Sequence, residues 1–206
     1  SVSSARFANV AFSNGSLLPG FRNRVEKRQP LSAPTDIRRF FMTAEESAQL
    51  CLFSILLGRN GEIFVPKETD EFFLTSIIDI ANRFLRCQGL EPVIVESPQE
   101  ARELIVRLDL SRYWPVYGSK TDTSGEKLHE EFWTQDDSVD VNRFKNLGVI
   151  SYKGINPAPH YDEFRRDLNI WQSTRKPEKA DLVALVKLYL REFNHEETSL
   201  NLNEKM

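Results

Sequence analysis

Few residues in this chain are spaced to do chemistry by themselves. His129, His160 and His195 lie far apart, with no i, i+4 pair and no cysteine partners, which argues against a metal site. Cys51 and Cys87 each fall inside an apolar helical pattern. They read as small buried hydrophobes in a reducing, cytoplasmic compartment rather than as a disulfide or a reactive thiol. Arg38 and Arg39 set two guanidinium groups side by side, Asn9 stands near the end of a strand pattern, and Glu126 opens a helix pattern. Taken alone these are solvated arginines, a turn former and a carboxylate favoured by the helix dipole. Leu17 and Leu18, taken alone, are ordinary core.

The elements that must position these residues alternate between strand and helix. Ser4 to Val10 reads as a buried strand that opens the chain, followed by a short amphipathic helix from Leu17 to Arg28. A strand in that place normally belongs to a sheet whose other strands come earlier, so the expectation is the back part of a larger α/β enzyme. A turn at Pro30 and Pro34 leads to a strand over Arg39 to Met42. Thr43 with Glu46 three residues on is a capping box, and Ala44, Ser47, Ala48, Cys51, Leu52 and Ile55 share a face at helical spacing. Gly58 and Gly61 close that helix ahead of a strand over Glu62 to Val65. A helix over Leu74 to Gln88 carries Ile77, Ile78, Ala81, Phe84 and Leu85 on one side and ends at Gly89.

Pro92 to Glu96 predicts a strand, and Ser97 with Glu100 a second capping box opening a helix to about Leu108. Tyr113 to Tyr117 is an apolar-aromatic strand whose Pro115 suggests a sheet edge. A polar stretch over Ser119 to Ser124 precedes a helix near Gly125. From about Asp136 strand patterns disappear, Asn156 to Pro159 marks a linker, and Leu182, Leu185, Val186, Tyr189 and Phe193 form a helical stripe. The expected organisation is an α/β part over residues 1–135 and a mainly helical extension over 136–206.

Composition excludes several function classes. With 27 Lys plus Arg against 30 Asp plus Glu, the net charge is −3, and no basic surplus points to nucleic acid or an anionic membrane surface. The apolar runs, such as Leu50 to Leu57 interrupted by Ser54, fall well short of the roughly 20 residues needed to cross a bilayer.

Three stretches go further. Arg6 to Val10 followed by Gly15 to Phe21 resembles the R-x-x-N-V … G-S-V-I-P-x-F segment of extended short-chain dehydrogenase/reductases. Arg38 to Thr43 resembles the T-R-F-F-M-T stretch of the nucleotide-sugar 4,6-dehydratases in that group, and Gly125 to Glu130 is similar to their R-P-G-E-K-L-H-E. Ser119 to Phe132, Asn146 to Ile150 and His195 to Thr198 look closest to the dehydratases acting on nucleotide-activated N-acetylglucosamine at the head of legionaminic-acid-type nonulosonate pathways. The resemblance implies the C-terminal, substrate-binding part of a Rossmann-type enzyme with a helical tail, its N-terminal Rossmann half absent from this chain.

By that resemblance Arg39 clamps the diphosphate of a UDP- or GDP-sugar, a charge-assisted and potentially bidentate contact. Asn9 meets the phosphate–sugar linkage, Gly15 with Leu17 and Leu18 lies against the base, and Glu126 accepts from the ribose hydroxyls. One position departs from the broader family, whose second phosphate-binding arginine is replaced by Thr123, with Lys120 the nearest upstream cation.

The family's cofactor turn and base are not found. None of the nine glycines forms a G-x-x-G-x-x-G or G-x-G-x-x-G pattern, and none of the five tyrosines is followed four places later by lysine. No catalytic, cofactor-binding or metal residue is therefore assigned, and NAD(P) is expected in the full-length parent rather than on this chain alone. The parent reaction implied is oxidation at C4 of the sugar, loss of water across C5 and C6, and reduction at C6. An epimerase of the same fold and a non-catalytic sugar-nucleotide-binding module are the alternatives, with a separate front half or a second copy of the chain as partner.

Overall fold

Apolar and β-branched stretches separated by turn formers fold into eleven short strands and six helices among the described residues. The computed structural model describes residues 1–121, 129–151 and 160–190, with Phe193 and His195. In chain order the elements begin β1 (Ser3–Ala5), β2 (Asn9–Val10), α1 (Leu17–Glu26), β3 (Leu31–Pro34), β4 (Arg38–Arg39) and β5 (Phe41–Met42). There follow α2 (Ala44–Leu57), β6 (Glu62–Pro66), β7 (Thr75–Ser76), α3 (Ile77–Cys87), β8 (Glu91–Val95) and α4 (Pro98–Arg107). The last are β9 (Tyr113–Ser119), β10 (Val139–Asp140), β11 (Leu147–Ser151), α5 (Tyr161–Ser173) and α6 (Lys179–Tyr189).

Residues 1–121 and 129–151 belong to one compact unit. Its larger sheet runs β1-β6-β11-β10, with β1 parallel to β6 and the other pairs antiparallel. A second sheet, β3-β9-β8, is parallel throughout. The pairs β2-β5, parallel, and β4-β7, antiparallel, complete the unit. Two cores result. Phe21, Leu31, Ile37, Ala81, Leu85 and Val116 bury one around the parallel sheet, and Phe40, Met42, Leu50, Phe64, Phe132 and Val149 bury the other. Residues 160–190 belong to a second unit, in which α5 and α6 pack through Phe164 and Tyr189. There the Tyr189 hydroxyl donates to Asp167 at 2.6 Å, and that carboxylate pushes the phenol above its ordinary range.

The mixed α/β class follows the sequence pattern, while several elements differ from it. The strand expected over Ser4–Val10 is two strands in different sheets. Arg6 N–H donates to Phe64 C=O at 2.9 Å, and three residues on Asn9 N–H donates to Phe40 C=O at 3.1 Å, so the chain changes partner between them. The Arg39–Met42 strand is likewise divided into β4 and β5. The stretch between Pro30 and Pro34, expected as a turn, contains β3. Leu31 and Ala33 alternate with half-buried Ser32 and Pro34, a period-2 pattern too short to outweigh two prolines by sequence alone.

Pro115 is fully buried in β9, the middle strand of its sheet, and not on an edge strand. Its missing N–H is tolerated because pairing with β3 begins only at Val116, leaving β8 the one neighbour at residue 115. After Asp136, where strands were expected to cease, β10 and β11 extend the larger sheet; β11 pairs with β6 from Leu147↔Pro66 to Ser151↔Glu62. The helix expected near Gly125 and the linker over Asn156–Pro159 lie outside the described residues. Cys51 is half-buried and Cys87, the last residue of α3, is exposed, so the expectation of two buried thiols does not hold for Cys87; both are free.

The capping box at α2 forms as read. Thr43 Oγ1 accepts from Glu46 N–H at 3.1 Å and Glu46 Oε2 accepts from Thr43 N–H at 2.6 Å. Thr43→Ala is expected to cost about 1 kcal/mol of stability, measured as a lowered denaturant midpoint at unchanged slope.

The buried face of α2 is not the expected one. Leu50 and Ser54 are buried and Ser47 and Cys51 half-buried, while Ile55 and Leu56 are 72% and 74% exposed. This helix is apolar nearly all round, so periodicity could not choose a face; Ser54, which pairs with Ser3 of β1, does. No described helix is long and apolar enough to cross a membrane.

Candidate functional site

Arg38 and Arg39 lie where the chain passes between the two cores. Ile37 closes one core and Phe40 and Met42 enter the other, leaving Arg38 and Arg39 on the short stretch between them. That stretch is held as β4 by pairing Arg38↔Ser76 and Arg39↔Thr75, just ahead of α3. Successive side chains of a strand point to opposite faces, and here Arg38 is exposed while Arg39 is half-buried. The Arg39 guanidinium donates to Arg38 C=O at 2.9 Å.

Asn9 is brought to the same place by β2. It lies opposite Phe41 in a parallel pairing, two residues from Arg39, or roughly 7 Å along an extended backbone. Beyond it the chain turns through Gly15, whose φ of +75° is the left-handed region that a side chain disfavours. Ser16 then caps α1 without a side-chain bond to the helix, and its hydroxyl is buried without a hydrogen-bond partner among the described residues. Leu17 and Leu18 are half-buried and pack against the core containing Phe21, which accounts for them as packing residues. Glu126 lies outside the described residues.

Three residues that sequence reasoning did not single out also bear on this place. The Asp36 carboxylate accepts from Thr121 N–H at 3.0 and 3.1 Å and from the Thr121 hydroxyl at 2.9 Å. Burial opposes its ionisation, but these bonds and the charge of Lys120 outweigh burial and hold the carboxyl below the ordinary carboxylate range. Glu130 Oε2 accepts from Phe40 N–H at 3.2 Å. Phe132 is buried with its ring 4.9 Å from Phe40, and the Arg6 guanidinium donates to Phe132 C=O. Partners 85 and 90 residues apart leave no local pattern by which sequence could have paired them.

Among the described residues the segment carries a half-buried guanidinium at Arg39, a group whose chemistry suits an anion. An NAD(P) pyrophosphate fits it poorly. Among the described residues the strand–turn–helix from β2 to α1 supplies the single glycine Gly15 between its elements, where a dinucleotide turn needs three, and β5–α2 and β7–α3 supply none.

A family model described as polysaccharide biosynthesis protein matches residues 1–151. The capsular polysaccharide biosynthesis protein CapD of Staphylococcus aureus is 29% identical over 164 residues, covering 79% of this chain and 22% of that protein. A UDP-glucose 4-epimerase of Rickettsia massiliae is 26% identical over 141 residues, 68% of this chain and 38% of that one. Among solved structures, Pen from Bacillus thuringiensis matches with a TM-score of 0.53 at 22% identity, over 73% of this chain and 40% of that chain, a likeness of fold. The chain thus spans well under half the length of these relatives.

Proposed function

The chain belongs to the polysaccharide biosynthesis protein family, and on that premise we propose that it is the sugar-nucleotide-binding C-terminal portion of an NAD(P)-dependent 4,6-dehydratase. The substrate of that parent enzyme is UDP- or GDP-N-acetylglucosamine, and the product serves surface-glycan biosynthesis. The observation that carries this reading is the β2–β5 pairing, which sets Asn9 opposite Phe41, two residues along the chain from Arg39. A linkage oxygen and a diphosphate are near neighbours in a sugar nucleotide, so an asparagine and an arginine whose backbone positions are two residues apart suit one ligand. Glu126 is assigned to the ribose, and the turn at Gly15 with the half-buried first residues of α1, Leu17 and Leu18, to the base as well as to their core packing.

NAD(P) and the catalytic base are assigned to the remainder of the parent. A partner for this unit, a front half or a second copy, is supported by its surface. β1 is the outermost strand of its sheet among the described residues, and the apolar side chains of Ile55 and Leu56 stand exposed on α2 beside it. A relative named as a UDP-glucose 4-epimerase favours a second reading, in which the parent inverts C4 without losing water. The product of the parent separates the two: a 4-keto-6-deoxy sugar for the dehydratase, a sugar retaining its 6-hydroxyl for the epimerase.

Binding is tested by thermal unfolding with added nucleotides. A ligand that binds only the folded state raises the midpoint with its concentration. UDP, GDP or their N-acetylglucosamine conjugates are expected to raise it, and uridine and guanosine, without the diphosphate, are not. A midpoint unmoved by every nucleotide rejects the reading. The chain by itself is expected to form no 4-keto product with or without NAD(P).

A further inference from the structure

Two carboxylates tie residues 121 and 130 to the segment that carries Arg39, and they do so from opposite directions. Asp36 lies on the segment and reaches out to the Thr121 amide and hydroxyl. Glu130 lies across from it and reaches back to the Phe40 amide. The two attachment points, Asp36 and Phe40, bracket Arg39 in the chain. The Glu130 side is reinforced two residues on, where Phe132 packs on Phe40 and Arg6 holds the Phe132 carbonyl. Amide hydrogen bonds to ionised acceptors are the stronger kind, so each anchor fixes a backbone position next to or near the arginine.

We propose that Asp36 and Glu130 are positioning residues, joining Thr121 and Glu130 to the segment on either side of β4 so that sugar-nucleotide affinity depends on them through Arg39. For its ligand this assignment rests on the sugar-nucleotide reading above; the anchors themselves do not. It also accounts for two acidic groups beside a site meant for an anion: their charge is spent on backbone donors.

Amide exchange followed by NMR tests the anchors without any ligand. Asp36→Asn is expected to speed exchange at Thr121, and Glu130→Gln at Phe40, by about tenfold or more, the worth of a charged hydrogen bond. The Thr121 amide resonance should follow the Asp36 carboxyl, moving only below the ordinary carboxylate range, and should lose that titration in Asp36→Asn. With UDP and GDP as probes, each variant should bind about threefold to tenfold more weakly than wild type. In the Arg39→Ala background the added loss should vanish, because coupled residues are not additive. Unchanged amides in both variants overturn the anchors. A loss of equal size in the Arg39→Ala background overturns their action through Arg39. A wild-type chain that binds neither nucleotide rejects the sugar-nucleotide reading and the dependence of affinity on these residues, while the amides still decide whether the anchors exist.

Discussion

Arg39→Ala is expected to weaken binding of UDP or GDP by roughly ten- to hundredfold. Removing a guanidinium that holds a diphosphate costs on the order of 1.5–3 kcal/mol, and about 1.4 kcal/mol corresponds to each factor of ten. The neighbouring Arg38→Ala should cost little, since the two side chains leave the strand on opposite faces and Arg38 is exposed. Glu126→Gln should weaken nucleotides with free ribose hydroxyls more than their 2′-deoxy analogues. Calorimetric titration of the three variants separates these effects, with thermal unfolding as the check that each is folded. Equal affinity in wild type and Arg39→Ala removes the clamp.

Arg143→Met is expected to destabilise the first unit by about 1–3 kcal/mol, the cost of leaving a half-buried charged group without its partner. Arg143 donates to both oxygens of Glu62 at 2.9 Å, donates to Leu57 C=O, and lies over the Phe144 ring at 5.1 Å. Its side chain is 24% exposed and that of Glu62 12%, so removing the arginine leaves a half-buried carboxylate without its charged partner. Replacing both, as Glu62→Gln with Arg143→Met, should cost less than the single change, because no charge is left without its partner.

The pair also sets a pH dependence. Burial raises the Glu62 pKa, but the Arg59 N–H, the Arg143 guanidinium and both positive charges outweigh it and hold it below the ordinary value of 4.5. A depressed folded-state pKa contributes stability that is present above the unfolded value and lost as pH falls through the folded one. Wild-type stability should therefore decline from about pH 4.5 downward. In Arg143→Met burial opposes ionisation with less to offset it, so the penalty should shrink as the carboxyl takes up a proton. Denaturant melts of both proteins at pH 7 and pH 4 measure this, and a penalty unchanged with pH rules out Glu62 as its cause.

What could be read from the sequence was local. The α2 cap needed Thr43 and Glu46 three residues apart, and the buried side of α3 needed only Ile77, Ala81 and Leu85 at helical spacing. The separations that make such contacts are built into the helix, so residue types suffice. The motif at Arg39 was legible for the same reason, as a run of adjacent residues.

Tertiary structure decided the rest. Nothing local divides Ser4 to Val10 between two sheets, because the division depends on Phe64 and Phe40 offering carbonyls to different parts of it. Nor does periodicity select the buried face of a helix apolar on every side; packing of Ser54 and Leu50 against β1 and the second core selects it for α2. The buried Pro115 is compatible with a middle strand only because β3 starts pairing one residue later. The meeting of Asp36 with Thr121 and of Glu130 with Phe40 is of this kind too: the free energy of each bond is local, but the fold alone brings its partners within reach.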